Sequence, residues 1–123
     1  MILVDTSVWI DHLRSNDAEM ATHLRAGTVL MHQFVLGELA LGNLRQRASI
    51  LQSISLLPKA VVAVHGEVMH FIASNDLAGR AIGYIDAHLL ASCRLTANAR
   101  LWTRDKRLLA VGKSLGLSVS SMH

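Results

Sequence analysis

The fold is decided by ILVDTS, residues 2–7, near the start of the chain. Three β-favouring apolar residues run directly into a carboxylate, Asp5, which is followed by the hydroxyls of Thr6 and Ser7. An uninterrupted apolar run of this kind is typical of a strand that is buried on both faces. Because a carboxylate loses hydration when it leaves water, Asp5 either closes a turn or meets a positive charge at the end of this strand.

Short apolar stretches alternate with longer helical patterns along the rest of the chain. Strands are predicted at residues 1–5, 28–31, 99–103 and, as a closing edge strand, 117–120. Residues 61–64 are either a further strand or the lead-in to a helix. Helices are predicted at about 8–14 with Ser7 as cap, 16 or 17–26, 34–42, 45–56, 67–77, 84–97 and 105–115. The alternation predicts an α/β fold, a three-layer α/β/α sandwich around a short, mainly parallel sheet of about four to five strands.

Composition narrows the class of protein further. The 123 residues are 51% hydrophobic and 17% charged, which predicts a single folded domain, residues 1–123, and excludes a disordered chain. So much apolar surface on so small a chain favours a homodimer. The net charge of +3 and the pI near 9.6 are compatible with a nucleic-acid partner but do not require one.

Other classes are excluded by what the sequence lacks. With a single cysteine, Cys93, neither an intrachain disulfide nor a cysteine-based zinc site is expected, and a reducing cytoplasm is the natural compartment. The N-terminus has no basic segment, and Asp5 interrupts its apolar run, so it does not resemble a signal peptide. No window approaches about 18 apolar residues, so no membrane span is expected.

Four carboxylates are candidates for one shared site. In open parallel sheets ligands bind beyond the carboxyl ends of the strands, and both Asp5 and Asp105 follow a predicted strand. Asp86 and Glu38 lie among apolar residues of predicted helices, where acids are rare unless paired or metal-bound. Taken singly, Asp5 could close a turn, Asp86 and Asp105 could cap helices, and Glu38 could be a half-exposed helical acid.

Oxygen ligands without cysteine or a tight histidine cluster suit Mg²⁺ or Mn²⁺ rather than zinc. Such an ion relieves the repulsion within an acidic cluster and favours hydrolysis of a phosphodiester. Two other interpretations compete with this one. The first is a non-catalytic dimeric module that binds a protein partner or nucleic acid. The second is a flavodoxin-like receiver domain, which is disfavoured because the chain offers neither a suitable central aspartate nor a late lysine.

The motifs resemble those of the PIN-domain ribonucleases and, within them, the VapC-type toxins of bacterial toxin–antitoxin pairs. VDTSVWID, GELALG, IDAHLLAS and LWTRDKRL occur in the family's order and cover essentially the whole chain. The stretch TANARLW departs slightly, because a glycine is common in the family before the last strand. The resemblance implies an α/β/α sandwich, a homodimer and cleavage of RNA with Mg²⁺ or Mn²⁺. It also implies a small cognate antitoxin whose C-terminal segment blocks the site.

The resemblance makes Asp5, Glu38, Asp86 and Asp105 the catalytic acids. We expect Asp5 and Asp86 to bind the metal, with Glu38 and Asp105 as further candidate ligands. Ser7 and Thr103 are candidate hydroxyls that orient carboxylates or water.

Basic residues beside Asp105 are the candidate RNA contacts, namely Arg104, Lys106 and Arg107. His12 is a weaker candidate for RNA contact, and the remaining histidines are interpreted as surface or partly buried side chains. Asp11 is expected to face solvent. Cys93, Trp9 and Trp102 are expected to pack in the core, or in a dimer contact for the two tryptophans.

Overall fold

A computed structural model describes residues 1–119 of the chain. Its strands are β1 Ile2–Val4, β2 Val29–Leu30 and β3 Arg100–Trp102. Its helices are α1 Thr6–Ser15, α2 Ala18–Ala26, α3 Gln33–Ala40, α4 Arg47–Ser55, α5 His65–Ser74, α6 Tyr84–Leu95 and α7 Lys106–Ser114. Among the described residues, no helix has the length and apolarity needed to cross a membrane.

The sheet has the strand order β2-β1-β3, and β1 pairs in parallel with both neighbours. Leu3 and Val4 are fully buried, as expected for a central strand covered on both faces. The chain moves across the sheet in one direction from β1 to β2. It moves in the opposite direction from β2, past β1, to β3. Because parallel crossovers are right-handed, their helices cover opposite faces of the sheet. The predicted α/β sandwich is confirmed.

Bridges extend the sheet at both edges. Met31 pairs in parallel with Lys59, and Leu101 pairs with Ser118. The Leu101 N–H donates to the Leu117 carbonyl at 2.7 Å, so the predicted closing segment does join the edge of β3. Residue 120 of that predicted strand lies outside the described residues. The stretch 61–64 is the lead-in to α5 and not a strand, which resolves the alternative that the sequence left open.

The start of α1 differs from the predicted one. The helix begins at Thr6, and the N–H groups of Val8 and Trp9 donate to the Asp5 carbonyl at 3.1 and 3.2 Å. Asp5 therefore occupies the N-cap position, and the prediction that Ser7 caps the helix is wrong. Ser7 lies within the first turn, where its hydroxyl is engaged by Asp5 instead.

Other boundaries follow ordinary capping rules. Asp17 accepts a hydrogen bond from the Met20 N–H at 3.0 Å and starts α2, and Gly27 ends it with a φ of 71°.

The core contains Trp9, Cys93 and Trp102, as predicted from sequence, with exposed fractions of 3%, 2% and 1%.

Candidate active site

Asp5 lies where two neighbouring parallel strands end. Val4 of β1 pairs with Trp102 of β3, and the Asp5 N–H donates to the Trp102 carbonyl at 2.9 Å. This register brings Thr103 beside Asp5, and the Thr103 hydroxyl donates to Asp5 Oδ2 at 2.7 Å. The sequence therefore correctly predicted that the segment carrying Asp105 meets Asp5 at one edge of the sheet.

The Asp5 carboxylate is held in one orientation. Its side chain is buried, with an exposed fraction of 7%, and Oδ2 also accepts a hydrogen bond from Ser7 Oγ at 2.8 Å. Ser7 is itself fixed, because its oxygen accepts the Arg104 N–H at 3.0 Å. Thr103 Oγ1 likewise accepts the Asp105 N–H at 3.1 Å. Two hydroxyls thus orient one oxygen of Asp5, which is the arrangement predicted for Ser7 and Thr103.

Glu38 enters the site from α3. Thr6 Oγ1 donates to Glu38 Oε1 at 2.8 Å, which ties this acid to the residue that follows Asp5. Glu38 is exposed, so the expectation that its apolar neighbours leave it little water is wrong. Val35 and Leu39 take the buried face of the helix instead. The role of Thr6 was missed, because no local pattern joins two residues so far apart in sequence.

Asp86 belongs to the first turn of α6 and is half-buried. Its Oδ2 accepts the Gly83 N–H at 3.1 Å. The pKa of Asp86 is raised, chiefly by burial and further by the negative charges of Asp5, Asp105 and Glu38, while the Gly83 hydrogen bond opposes the shift. Because such charge–charge effects act at short range, the four predicted acids lie in one region.

Asp105 has both of the roles that were predicted as alternatives, namely a helix cap and a member of the acidic site. It caps α7, since its Oδ1 accepts the Leu108 N–H at 3.0 Å. The same residue is exposed at the strand-end rim and acts electrostatically on Asp86. A capping role therefore does not remove Asp105 from the acidic site.

The four acids form an open site rather than a closed metal cage. Within residues 1–119, no three histidine, cysteine, aspartate or glutamate side chains converge closely enough to enclose an ion. Mg²⁺ commonly uses only one or two carboxylates and completes its octahedron with water and phosphate oxygens. The site fits such an ion because its donors are hard oxygen atoms and the Asp5 carboxylate is fixed. Burial, with the added effect of the neighbouring negative charges, also raises the pKa of Asp86, and a bound cation would favour its charged form.

Arg104, a candidate RNA contact, forms ion pairs within the protein. Its guanidinium contacts Asp11 at 2.7 Å and also Asp17, and it lies 5.5 Å from the centre of the Trp102 ring. The two carboxylates raise the pKa of Arg104, with the hydrogen bond to Asp17 as the main cause. Arg104 therefore anchors the end of β3 to the α1–α2 connection. Its predicted contact with RNA stays a prediction. Asp11 is half exposed and ion-paired rather than simply solvent-facing.

The other basic candidates have different surroundings. Lys106 and Arg107 are exposed on the first turn of α7, so their predicted contact with RNA phosphates stays a prediction. His12 is half-buried, and its Nδ1 accepts the Asp17 N–H at 3.0 Å. That bond gives His12 a structural role at the start of α2.

Two histidines are buried, contrary to the expectation of surface or partly buried side chains. His32 and His88 have exposed fractions of 1% and 3%. His32 Nδ1 accepts the Phe34 N–H at 3.1 Å, which leaves Nε2 to donate to Ser92 Oγ at 2.9 Å. Burial lowers the pKa of His32 to about 4 and also lowers that of His88. Both rings are therefore neutral at pH 7, and they join α3 to α6.

A groove of about 590 Å³ runs beside Glu38. Its lining combines apolar and basic side chains from α1, α3 and the turn before α4, including Ile10, Leu13, Arg14 and Arg45. Glu38, one of the four acids, is part of its lining.

Comparison with known proteins agrees with this geometry. The sequence model of the PIN domain matches residues 2–114 of the chain. The chain is also 44% identical over 120 residues to "Ribonuclease VapC32" of Mycobacterium tuberculosis, both in strain CDC 1551 / Oshkosh and in strain ATCC 25618 / H37Rv. The aligned region covers 98% of this chain and 97% of that relative. The similarity therefore spans all four segments that carry the acids.

Proposed function

The chain belongs to the PIN-domain family, and on this premise we propose that it is an endoribonuclease that acts as the toxin of a toxin–antitoxin pair. The single observation that carries the proposal for this chain's own residues is the parallel register of β1 and β3, which brings the segment of Asp105 beside Asp5. The negative charges of Asp5, Asp105 and Glu38 also contribute to the raised pKa of Asp86. An acid whose pKa is raised by burial and by neighbouring carboxylates, at the edge of a parallel sheet, is the expected setting for metal-assisted hydrolysis of a phosphodiester.

We propose that Asp5 and Asp86 bind Mg²⁺ or Mn²⁺, with Glu38 and Asp105 as additional ligands or as ligands of bound water. When bound, the ion activates water and offsets the negative charge of the phosphate. Without a cation the four carboxylates would repel a polyanionic substrate. Cation binding and substrate binding are therefore expected to depend on each other.

The chain's own contribution is to fix the positions of its oxygen atoms before substrate binds. Ser7 and Thr103 hold Asp5 Oδ2, so this carboxylate does not rotate away when the ion or substrate leaves. Thr6 holds Glu38 Oε1, and we assign Glu38 the task of orienting the attacking water. Such preorganisation lowers the barrier because it removes the entropy of aligning the reacting groups.

The partners follow from the same proposal. The substrate is RNA, and the cognate antitoxin is a small protein whose C-terminal segment covers the acids. The groove beside Glu38, with apolar walls and the basic side chains of Arg14 and Arg45, supports a docking path for that segment. We further propose that the toxin is a homodimer and acts in the cytoplasm.

Cleavage of a labelled RNA with Mg²⁺ and with EDTA tests the proposal, using Asp86→Asn beside the native protein. Asp86→Asn keeps an oxygen that can accept the Gly83 N–H but removes the charge. Asp76→Asn is the matched control, because Asp76 is an exposed acid with a φ of 52°, a conformation that asparagine tolerates.

We expect cleavage by the native protein and by Asp76→Asn only when the divalent ion is present, and none by Asp86→Asn. A non-catalytic module that holds a partner would cleave no RNA under either condition, and its partner affinity would not change with EDTA.

A further inference from the structure

Arg14 and Arg45 are two cations that the proposed reaction does not use. Arg14 lies in the last turn of α1, and Arg45 lies in the turn before α4. Both are exposed, and both line the groove of about 590 Å³ whose wall includes Glu38. One cavity therefore joins two basic side chains to one of the four acids.

The two guanidinium groups have no partner of opposite charge inside the protein. Among residues 1–119, neither side chain forms an ion pair or a hydrogen bond, whereas Arg104 is neutralised by two carboxylates. Arg45 does not pair even with Glu38, whose Oε1 accepts the Thr6 hydroxyl instead. Both cations are therefore available to an anion from outside the chain.

A structural explanation accounts for only one of the two. A cation in the last turn of a helix interacts favourably with the helix dipole, which is sufficient for Arg14. Arg45 lies outside the helices, so the dipole gives it no role. The dipole also does not explain why cations from two separate segments line the same groove.

The position of the groove indicates which anion it would take. An RNA strand whose scissile phosphate lies at the acids carries further phosphates on both sides, each with one negative charge. Because Glu38 belongs both to the acids and to the groove, a strand bound at the acids can continue into it. Arginine binds phosphate oxygens with paired N–H donors, and the apolar side chains of Ile10 and Leu13 in the lining can pack against sugar carbons.

We propose that Arg14 and Arg45 bind an RNA phosphate on one side of the cleaved bond, so that the strand leaves the acids along the groove beside Glu38. This inference rests on the proposed ribonuclease function and adds the path of the substrate. The antitoxin segment proposed for the same groove would then displace this part of the RNA as well as block the acids.

The test combines protein variants with substrates that lack single charges. The variants are Arg14→Met and Arg45→Met, which keep an apolar stem and remove the charge. Arg25→Met is the matched control, because Arg25 is an exposed arginine of α2 that is not part of the groove's lining. The substrates are an RNA that the native protein cleaves and a set of copies in which one neighbouring phosphate at a time is a neutral methylphosphonate. The scissile phosphate stays intact, and kcat/KM is measured over a range of salt concentrations.

We expect each groove variant to lose about 3- to 10-fold in kcat/KM on the unmodified RNA at low salt. The slope of log kcat/KM against log salt should become shallower by about 0.7 to 1 for each variant. Arg25→Met should keep the native rate and slope. On one side of the cleaved bond, a methylphosphonate should cost the native protein a similar factor and cost the groove variants little more, because both changes remove the same ion pair.

Four results would overturn the inference. The first is a native kcat/KM for both groove variants. The second is a loss that adds independently to that of every methylphosphonate. The third is an equal loss for Arg25→Met, which would make the effect one of total charge. The fourth is a lower melting temperature in proportion to the lost rate, which would place the effect in the fold. Failure of the native protein to cleave any RNA with Mg²⁺ would instead contradict the proposed function, and this inference with it.

Discussion

The Thr6 hydroxyl donates a hydrogen bond to Glu38 Oε1 at 2.8 Å, which joins the first turn of α1 to an exposed acid on α3. The contact links Thr6, the residue that follows Asp5, to the acid contributed after β2. An exposed glutamate has several accessible rotamers, and one charge-assisted hydrogen bond restricts them. Thr6 is therefore a positioning residue for Glu38 in the proposed reaction.

Replacement of Thr6 by valine should lower kcat for RNA cleavage by about 3- to 30-fold and should raise KM by a smaller factor. The reason is that the hydrogen bond to Glu38 is lost without a change in side-chain shape. Thr6→Ser keeps the hydroxyl and should restore most of the rate. Steady-state cleavage at saturating Mg²⁺ measures both effects. Equal rates for the valine variant and the native protein would show that Glu38 does not need this contact.

Neutralisation of Asp86 should stabilise the fold while it abolishes cleavage. Burial and three neighbouring negative charges raise the pKa of Asp86, so its carboxylate form is disfavoured in the folded protein. Asp86→Asn removes that penalty and should raise the melting temperature in EDTA by about 2–5 °C. Excess Mn²⁺ should then stabilise the native protein more than the variant. A variant that melts below the native protein in EDTA would contradict this account of the acidic site.

The buried His32 should make stability depend on pH. Its pKa is lowered from 6.5 to about 4, so the unfolded state binds more protons than the folded state between these values. Stability that is present above pH 6.5 is therefore lost as the pH falls towards 4, with a slope of up to about 1.4 kcal/mol per pH unit. Protonation would also break the hydrogen bond from the Phe34 N–H.

Urea unfolding at pH 7, 5.5 and 4.5 measures this dependence, with His32→Asn as the comparison. Asparagine is a good N-cap residue but does not titrate, so the variant should be less stable at pH 7 and lose less stability on acidification. Parallel pH profiles for the two proteins would assign the acid sensitivity to other groups.

Arg104 should contribute to stability rather than to RNA affinity. Arg104→Met keeps an apolar side chain over Trp102 but leaves Asp11 and Asp17 without their guanidinium partner, and it should cost about 1–2 kcal/mol of unfolding free energy. Because the pair is partly exposed, 1 M salt should reduce the difference. Arg107→Met, at an exposed position, is the control and should unfold like the native protein. A loss of RNA affinity at unchanged stability would restore the predicted phosphate contact.

Much of the site was predictable because its signals are local. An apolar run that ends in a carboxylate identifies Asp5 at the end of a buried strand, and the same pattern places Asp105 after β3. Parallel pairing then brings the two segments together, as the sequence predicted.

What escaped prediction depends on tertiary contacts. The bonds from Arg104 to Asp11 and Asp17 join residues 93 and 87 positions apart, which no sequence period encodes. Ser7 was expected to cap α1 because serine commonly does, but the nearby Asp5 carboxylate uses its hydroxyl. His32 became buried because Ser92 and the Phe34 N–H satisfy both ring nitrogens.

An anomalous-difference map from a crystal soaked in Mn²⁺ tests the central claim, that Asp5 at the end of β1 and Asp86 at the start of α6 share one divalent cation. The account predicts a peak within coordination distance, about 2.0–2.6 Å, of a carboxylate oxygen of both Asp5 and Asp86, and no such peak in an Asp5→Asn crystal soaked in the same way. A fully soaked native crystal with no Mn²⁺ peak between these two side chains would contradict it.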